Sequence, residues 1–379
     1  MHPLDLVQVF QKMSNITEAI GRASKLHRGH SAHTIESVKE FIPHPALRNG
    51  HLMTIASAFL RRRFQRLPAS VPRLFEVEPG TQVRGDCHWQ QNPASHGTLL
   101  LLHGLEGSSD STYILGTAEK AFAAGLNVVR LNQRNCGGTE RLTQTLYHSG
   151  RSADFRAIVL ELIECDKLPA IFFAGFSMGG NLVLKMTGEF ADSRPAELRA
   201  IVAIAPCLDL AACCDALSEK RNFLYNRHFL KHLKRRMYSK VGLFPDVYAK
   251  EALTTELESV QNVREFDDAI TAPFCGFKNA ADYYEQSSAM HCLGAIRVPT
   301  LMATAQDDPF VPFAIFQAAA IRENPNIRLV APRYGGHCAF ISRQSGDERF
   351  WCEARIVEFC LRNWRSSQDC RNLSNWSAV

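Results

Sequence analysis

The pentapeptide Gly175-Phe176-Ser177-Met178-Gly179 sets a serine between small residues, directly after the apolar run AIFFA and directly before a stretch of helical periodicity. At such a strand-to-helix elbow the serine backbone is strained, its hydroxyl stands clear of the sheet, and the glycines let the two elements approach. A serine hydroxyl becomes a nucleophile only with a base beside it, and that base needs a third group to hold its tautomer and stabilise the imidazolium. The order expected along such a chain is serine, acid, histidine.

The segment ATAQDDPFVP offers Asp307 and Asp308 at the end of the apolar run Thr300 to Ala305. Asp308 is the assigned acid, because it stands four residues before Pro312 in a D-x-x-V-P arrangement. Asp307 is the alternative, otherwise a loop carboxylate that caps the turn. For the base, Gly335-Gly336-His337 lies between the last strand and the final helix, where two glycines let a tight loop carry an imidazole over Ser177. His291 precedes the acid, so the chain order excludes it. The oxyanion formed on attack needs pre-aimed donors. They are predicted to be the backbone amide of Met178, after the nucleophile, and that of Leu105 in HGLEG, after the strand Thr98 to Leu102. His103, at the end of that strand, is expected to shape the loop rather than transfer protons.

Other chemistries find no support in the sequence. It contains neither an His-Glu dipeptide for a zincin nor a Gly-Lys dipeptide for a P-loop. Cys207, Cys213 and Cys214 lie close together without the regular spacing of further ligands that a metal site requires. The serine chemistry itself calls for no metal and no organic cofactor. The rival from another class is a catalytically silent scaffold that binds a ligand or partner, since fold alone does not fix function.

Six apolar runs must carry these residues: Thr98 to Leu102, Asn127 to Leu131, Ala170 to Ala174, Ala200 to Ala205, Thr300 to Ala305 and Ile327 to Val330. Helical periodicity lies between most of them, over Tyr113 to Ala124, Ala153 to Cys165, Met178 to Phe190, Phe313 to Ile321 and Glu348 to Trp364. Strands apolar on both faces that alternate with helices imply an α/β fold with a mostly parallel central sheet flanked by helices. A hairpin across Pro79-Gly80 opens it. The core is read as 71–205 and 296–366. Residues 206–295, long and helical, form an inserted cap. Residues 1–70 form an N-terminal helical extension, with an amphipathic helix at Leu4 to Lys25 and a second at Leu52 to Leu60. Arg61, Arg62, Arg63 and Arg66 are expected to close that second helix in solvent. Residues 367–379 read as a flexible tail.

The 379 residues carry 43 Lys and Arg against 38 Asp and Glu, and the resulting net charge of +5 is too mild for a nucleic-acid partner. The longest uncharged run, Leu168 to Leu184, is broken by proline and glycines, so no transmembrane helix is expected. The N-terminus lacks the order of a secretory signal. Twelve scattered cysteines without a CxxC read as reduced thiols, and a cytoplasmic location is expected. Lys220 to Lys240 is a basic amphipathic stretch. It is read as a solvated face balanced by the acidic stretch Glu251 to Asp268, with peripheral contact to an anionic membrane as the alternative.

Taken in order, HPALRNGHLMTI, HGLEGSSDSTY, NQRNCGG, GFSMGGN, QDDPFVP and YGGHCAFI resemble the motifs of the YheT-like branch of the α/β-hydrolase superfamily, over about Pro43 to Trp364. The resemblance implies an α/β-hydrolase fold, serine carboxylesterase or lipase-like activity on a small-molecule acyl ester, and a triad at Ser177, Asp308 and His337. Animal relatives carry a membrane anchor ahead of the domain, and a soluble bacterial-type member is the nearer match. Some relatives are acyltransferases with an H-x-x-x-x-D motif. This sequence has no such motif, which favours hydrolysis over transfer, with a thioesterase or acyltransferase using the same triad as the alternative.

Overall fold

The computed structural model describes residues 38–248 and 250–375. The helix expected at Leu4 to Lys25 lies outside the described residues. From Lys39 onward the chain falls in a single compact unit, which takes in the residues up to 70 that read as an extension.

Eight strands form one sheet among the described residues: β1 (Val71–Glu78), β2 (Thr81–His88), β3 (Thr98–Leu102), β4 (Asn127–Leu131), β5 (Ile171–Phe176), β6 (Leu198–Ile204), β7 (Thr300–Ala303) and β8 (Ile327–Val330). Their order is β1-β2-β4-β3-β5-β6-β7-β8. The hairpin β1-β2 turns at Gly80, whose φ of +73° costs glycine little. It joins β4 antiparallel, and every later pairing is parallel. Every residue of β3, β4 and β5 is buried, as both faces of a helix-covered sheet require.

The helices that matter to the site are α1 (Gly50–Phe59), α2 (Thr112–Ala123), α3 (Ser152–Glu164), α4 (Met178–Phe190), α5 (Leu210–Ser218), α6 (Phe223–Leu243), α7 (Lys250–Ser259), α8 (Ala280–Ser287) and α9 (Trp351–Asn375). Between β6 and β7 the described residues contain helices and turns and no strand. Leu230, Leu233, Met237 and Val241 of α6 join the same hydrophobic core as the sheet residues Leu100, Val129 and Phe173.

Three local expectations change. The stretch Phe313 to Ile321 resolves into a 3-10 segment, Phe313–Gln317, and a single α-turn, Ala319–Arg322, on either side of an extended Ala318. So short a segment gains few hydrogen bonds for the entropy of its nucleus. The last helix runs on to Asn375, through much of the presumed tail, because no glycine or proline interrupts it. Arg62 does not face solvent: its two terminal nitrogens reach the Glu353 carboxylate at 2.5 and 2.8 Å, and Lys120 meets the same group at 2.5 Å. A glutamate buried on α9 needs those cations.

Candidate active site

Ser177 follows β5 at φ +53° and ψ −120°, and Met178 after it is the first residue of α4. The positive φ is a strained state for a non-glycine residue. Close backbone packing holds it. A Cβ on Gly175 would lie 2.3 Å from the Gly179 carbonyl oxygen, and one on Gly179 would lie 2.4 Å from the His103 carbonyl oxygen. The Ser177 amide donates to Ile204 O on β6 at 2.8 Å. As the first residue of α4, Met178 presents an amide with no partner within its own helix.

His103, at the end of β3, accepts the Gln133 amide at Nε2 (3.1 Å), which leaves the Nδ1 proton to donate to Gly104 O at 2.7 Å. Burial pushes its pKa down to about 4, so the ring is neutral and fixes the loop, as expected of it. Gly104 packs against Ser177, since a Cβ there would sit 3.0 Å from the serine Cβ, and its amide donates to the Tyr113 hydroxyl at 3.1 Å. Leu105 comes next and lines the same cavity as Ser177 and Met178.

Glu106, at φ +57°, is held by two residues that line the cavity, Arg236 and Tyr147. Arg236 of α6 donates to its two oxygens at 3.0 and 2.9 Å, the Tyr147 hydroxyl donates at 2.5 Å, and a further Arg236 nitrogen reaches Asn135 O. Burial works against the Glu106 charge, but Arg236 outweighs it and holds the carboxyl below its ordinary range. The solvated-face reading of the basic stretch therefore fails for three of its cations. Arg236 is inward, Lys240 is buried against the Glu140 and Thr143 carbonyls, and Lys234 donates to Val260 O at 2.7 Å. The signal was present in the helical phase, because positions 236 and 240 share the apolar stripe of Leu233 and Met237.

Past β7, Asp308 accepts the Phe310 and Val311 amides on Oδ1 at 3.1 and 3.0 Å, and its Oδ2 meets His337 Nδ1 at 2.8 Å. Its side chain is fully shielded from solvent and that of His337 is 11% exposed. Asp307 faces elsewhere, accepting the Gly336 amide at 3.0 Å. Burial disfavours a charged His337, yet the Asp308 carboxylate prevails and raises the imidazole pKa well above 6.5. Phe310 packs on the ring with centroids 4.2 Å apart.

The histidine loop also leans on α1. Thr54 Oγ1 accepts the His337 amide at 2.8 Å while donating to Gly50 O at 2.7 Å. A Cβ on Gly50 would lie 1.8 Å from Asp307 O. Thr54 was missed in the sequence because its role depends on a contact 283 residues away.

The Ser177 hydroxyl contacts Cys207 Sγ at 3.6 Å. It opens onto a cavity of about 120 Å³ whose walls include Leu210 and Leu217 of α5, Phe229 and Met237 of α6, and Phe310. Asp267 is a polar exception in that wall: burial pushes its pKa up to about 6, and it accepts the hydroxyls of Tyr284 and Thr271, each at 2.7 Å.

A mostly parallel sheet with a serine elbow, a strand-end acid and a following histidine loop defines a class of hydrolases, and a sequence profile described as the alpha/beta hydrolase fold matches residues 97–344. The protein YheT of Escherichia coli (strain K12), whose name places it among the esterases, is 31% identical over 342 residues, covering 89% of this chain and 98% of that protein. The chain thus belongs to the α/β-hydrolase family, in its YheT-like branch, and is an esterase- and lipase-like hydrolase. Phospholipase ABHD3 of Mus musculus is 29% identical, with coverage of 71% of this chain and 66% of that protein. Medium-chain fatty acid ethyl ester synthase/esterase 2 of Saccharomyces cerevisiae is 28% identical, with coverage of 69% and 61%. Among solved structures, 2,6-dihydroxy-pseudo-oxynicotine hydrolase has a TM-score of 0.52 at 16% identity, covering 81% of this chain and 71% of that one, a likeness of fold alone.

Proposed function

We propose that the protein is a serine carboxylic ester hydrolase that works through an acyl-enzyme on short- to medium-chain acyl esters or lipids. Ser177 attacks the acyl carbonyl, and His337 takes its proton and returns it to the leaving alcohol. Asp308 holds the imidazole through Nδ1, and the Leu105 and Met178 amides hold the oxyanion. Water activated by His337 then releases the acid. The helices of residues 206–295 serve as a cap that shapes the acyl pocket. The observation that carries this reading is Ser177, strained at its elbow, opening onto a largely apolar cavity that Leu105 and Met178 also line. A yeast relative named both synthase and esterase supports a second reading, in which an alcohol replaces water as acceptor. Eleven of the twelve cysteines are free thiols, which supports a cytoplasmic location.

The test is labelling by a fluorophosphonate probe, followed by hydrolysis of nitrophenyl esters of increasing acyl length with and without added alcohols. Labelling is expected to vanish in Ser177→Ala, and kcat to fall about 10⁶-fold in both Ser177→Ala and His337→Ala. A folded wild-type protein that neither labels nor turns over esters would sink the proposal and leave a binding scaffold.

A further inference from the structure

The outward face of α6 has no part in the chemistry above. While Leu230, Leu233 and Met237 turn inward, Phe223, Arg227, Lys231 and Arg235, each four residues apart, form an exposed stripe. Phe223 is 59% exposed and its neighbour Leu224 is 67% exposed, large values for apolar side chains at the start of a helix. On α1, Ile55 and Phe59 are exposed as well, Phe59 to 80%. His51, one turn before Ile55, stacks on Tyr225 of α6 with centroids 5.7 Å apart, and so links the two apolar patches.

Cations surround them. Lys220, Arg221, Arg227, Lys231 and Arg235 are exposed along the start of α6, and Arg61 and Arg63 follow α1. Arg221 pairs with Glu219 at 2.7 Å, whereas Arg227 and Lys231 have no acidic partner among the described residues. The surface also adjoins the site. Tyr225 packs on Phe310 with centroids 5.3 Å apart, and Phe310 both touches His337 and lines the cavity.

We propose that this surface docks the protein on an anionic lipid membrane, with Phe223, Leu224 and Phe59 entering the interface and the cations lying against the head groups. Exposed apolar side chains ringed by polar groups mark an interaction site, and an amphipathic helix with Lys and Arg on its rim suits the plane of an anionic bilayer. Attraction to anionic lipid adds about fivefold in affinity for each Lys or Arg held near the surface. Charge argues against the chain's own residues 1–37 as occupant, since their acids and cations nearly balance. Contact would be peripheral, because among the described residues no helix is long and apolar enough to cross a membrane.

The experiment is co-sedimentation of the full-length protein with phosphatidylcholine vesicles, with and without phosphatidylglycerol. It is run on wild type, Phe223→Ser with Leu224→Ser, and Arg227→Glu with Lys231→Glu. Wild type is expected to bind the anionic vesicles at least about tenfold more tightly than the neutral ones, and each double variant to lose about tenfold or more of that binding. Hydrolysis of a soluble short-chain nitrophenyl ester should be unchanged in both variants, which separates this inference from the acyl-enzyme proposal and shows that the variants fold. Wild type that ignores anionic vesicles overturns the inference. Equal binding by wild type and both variants also overturns it. So does a change in sedimentation of the variants without vesicles, which would assign the patch to a second copy of the chain.

Discussion

Ser177 and His337 are held by opposite means. Around Ser177 the constraints are steric: Gly175 packs on Gly179, and Gly179 on the Leu102 and His103 carbonyls at the end of β3, backbone against backbone with no room for a methyl group. Around His337 they are hydrogen bonds. Asp308 fixes the ring from 29 residues away, Asp307 holds the Gly336 amide and Thr54 holds the loop from the other end of the chain. Under the proposed roles the contrast is physical: a nucleophile in one strained conformation suits rigid steric packing, whereas a base that exchanges protons suits hydrogen bonds that fix orientation.

The largest effect expected on the histidine side is from Asp308→Asn, which should lower kcat about 10⁴-fold through loss of the productive tautomer. The pH profile sharpens this. Because His337 must be neutral to act as base and its pKa is raised, wild-type activity should climb with pH along a limb centred above 6.5. In Asp308→Asn the main group that raises the imidazole pKa is gone and burial is opposed by Cys338 without the carboxylate, so the residual limb should move to lower pH. A limb that stays put would show that Asp308 does not set the proton affinity.

On the serine side, Gly179→Ala drives a methyl group against the His103 and Leu102 carbonyls, at 2.4 and 2.7 Å, and neither backbone can yield. A loss of about 3 kcal/mol or more in unfolding free energy, measured by urea titration, is the expected result. A stable, active Gly179→Ala protein would break the contrast, for then the elbow would not be sterically determined.

Arg236→Met tests the distant support on the serine side. With its buried partner gone, Glu106 no longer fixes the turn after Leu105, and kcat should fall by about 10- to 100-fold with KM changed less. Arg236→Lys, which keeps the charge but not the bidentate geometry, should recover only part of the loss. Thr54→Val removes a single hydrogen bond to the His337 amide. A loss of about 1 kcal/mol in stability and roughly tenfold in kcat is expected, with Thr54→Ser close to wild type. Indifference of kcat to Thr54→Val would mean that the loop holds itself.

The sheet was legible where patterns are strong and local. Three strands, β3, β4 and β8, match the apolar runs residue for residue, β3 and β4 buried throughout and β8 half-buried at the sheet edge. Legibility ended where a residue's meaning depends on which face of a helix is covered. Arg62, Arg236 and Lys240 read as surface cations, yet each meets a buried oxygen on another element. The choice between Asp307 and Asp308 was likewise made on motif spacing, whereas their different partners are a matter of a few ångströms.

By itself the sequence determined the elbow, the chain order of serine, acid and histidine, and the long helical interval before β7, because glycine spacing, apolar periodicity and chain order are properties of the chain alone. Only the tertiary structure decided that α1 braces the histidine loop, that Arg236 grips Glu106 beside the loop of Leu105, and that Phe223 and Leu224 stay exposed beside the site. Those contacts join residues a hundred or more positions apart, and a long-range ion pair or an uncovered face leaves no periodic trace in sequence.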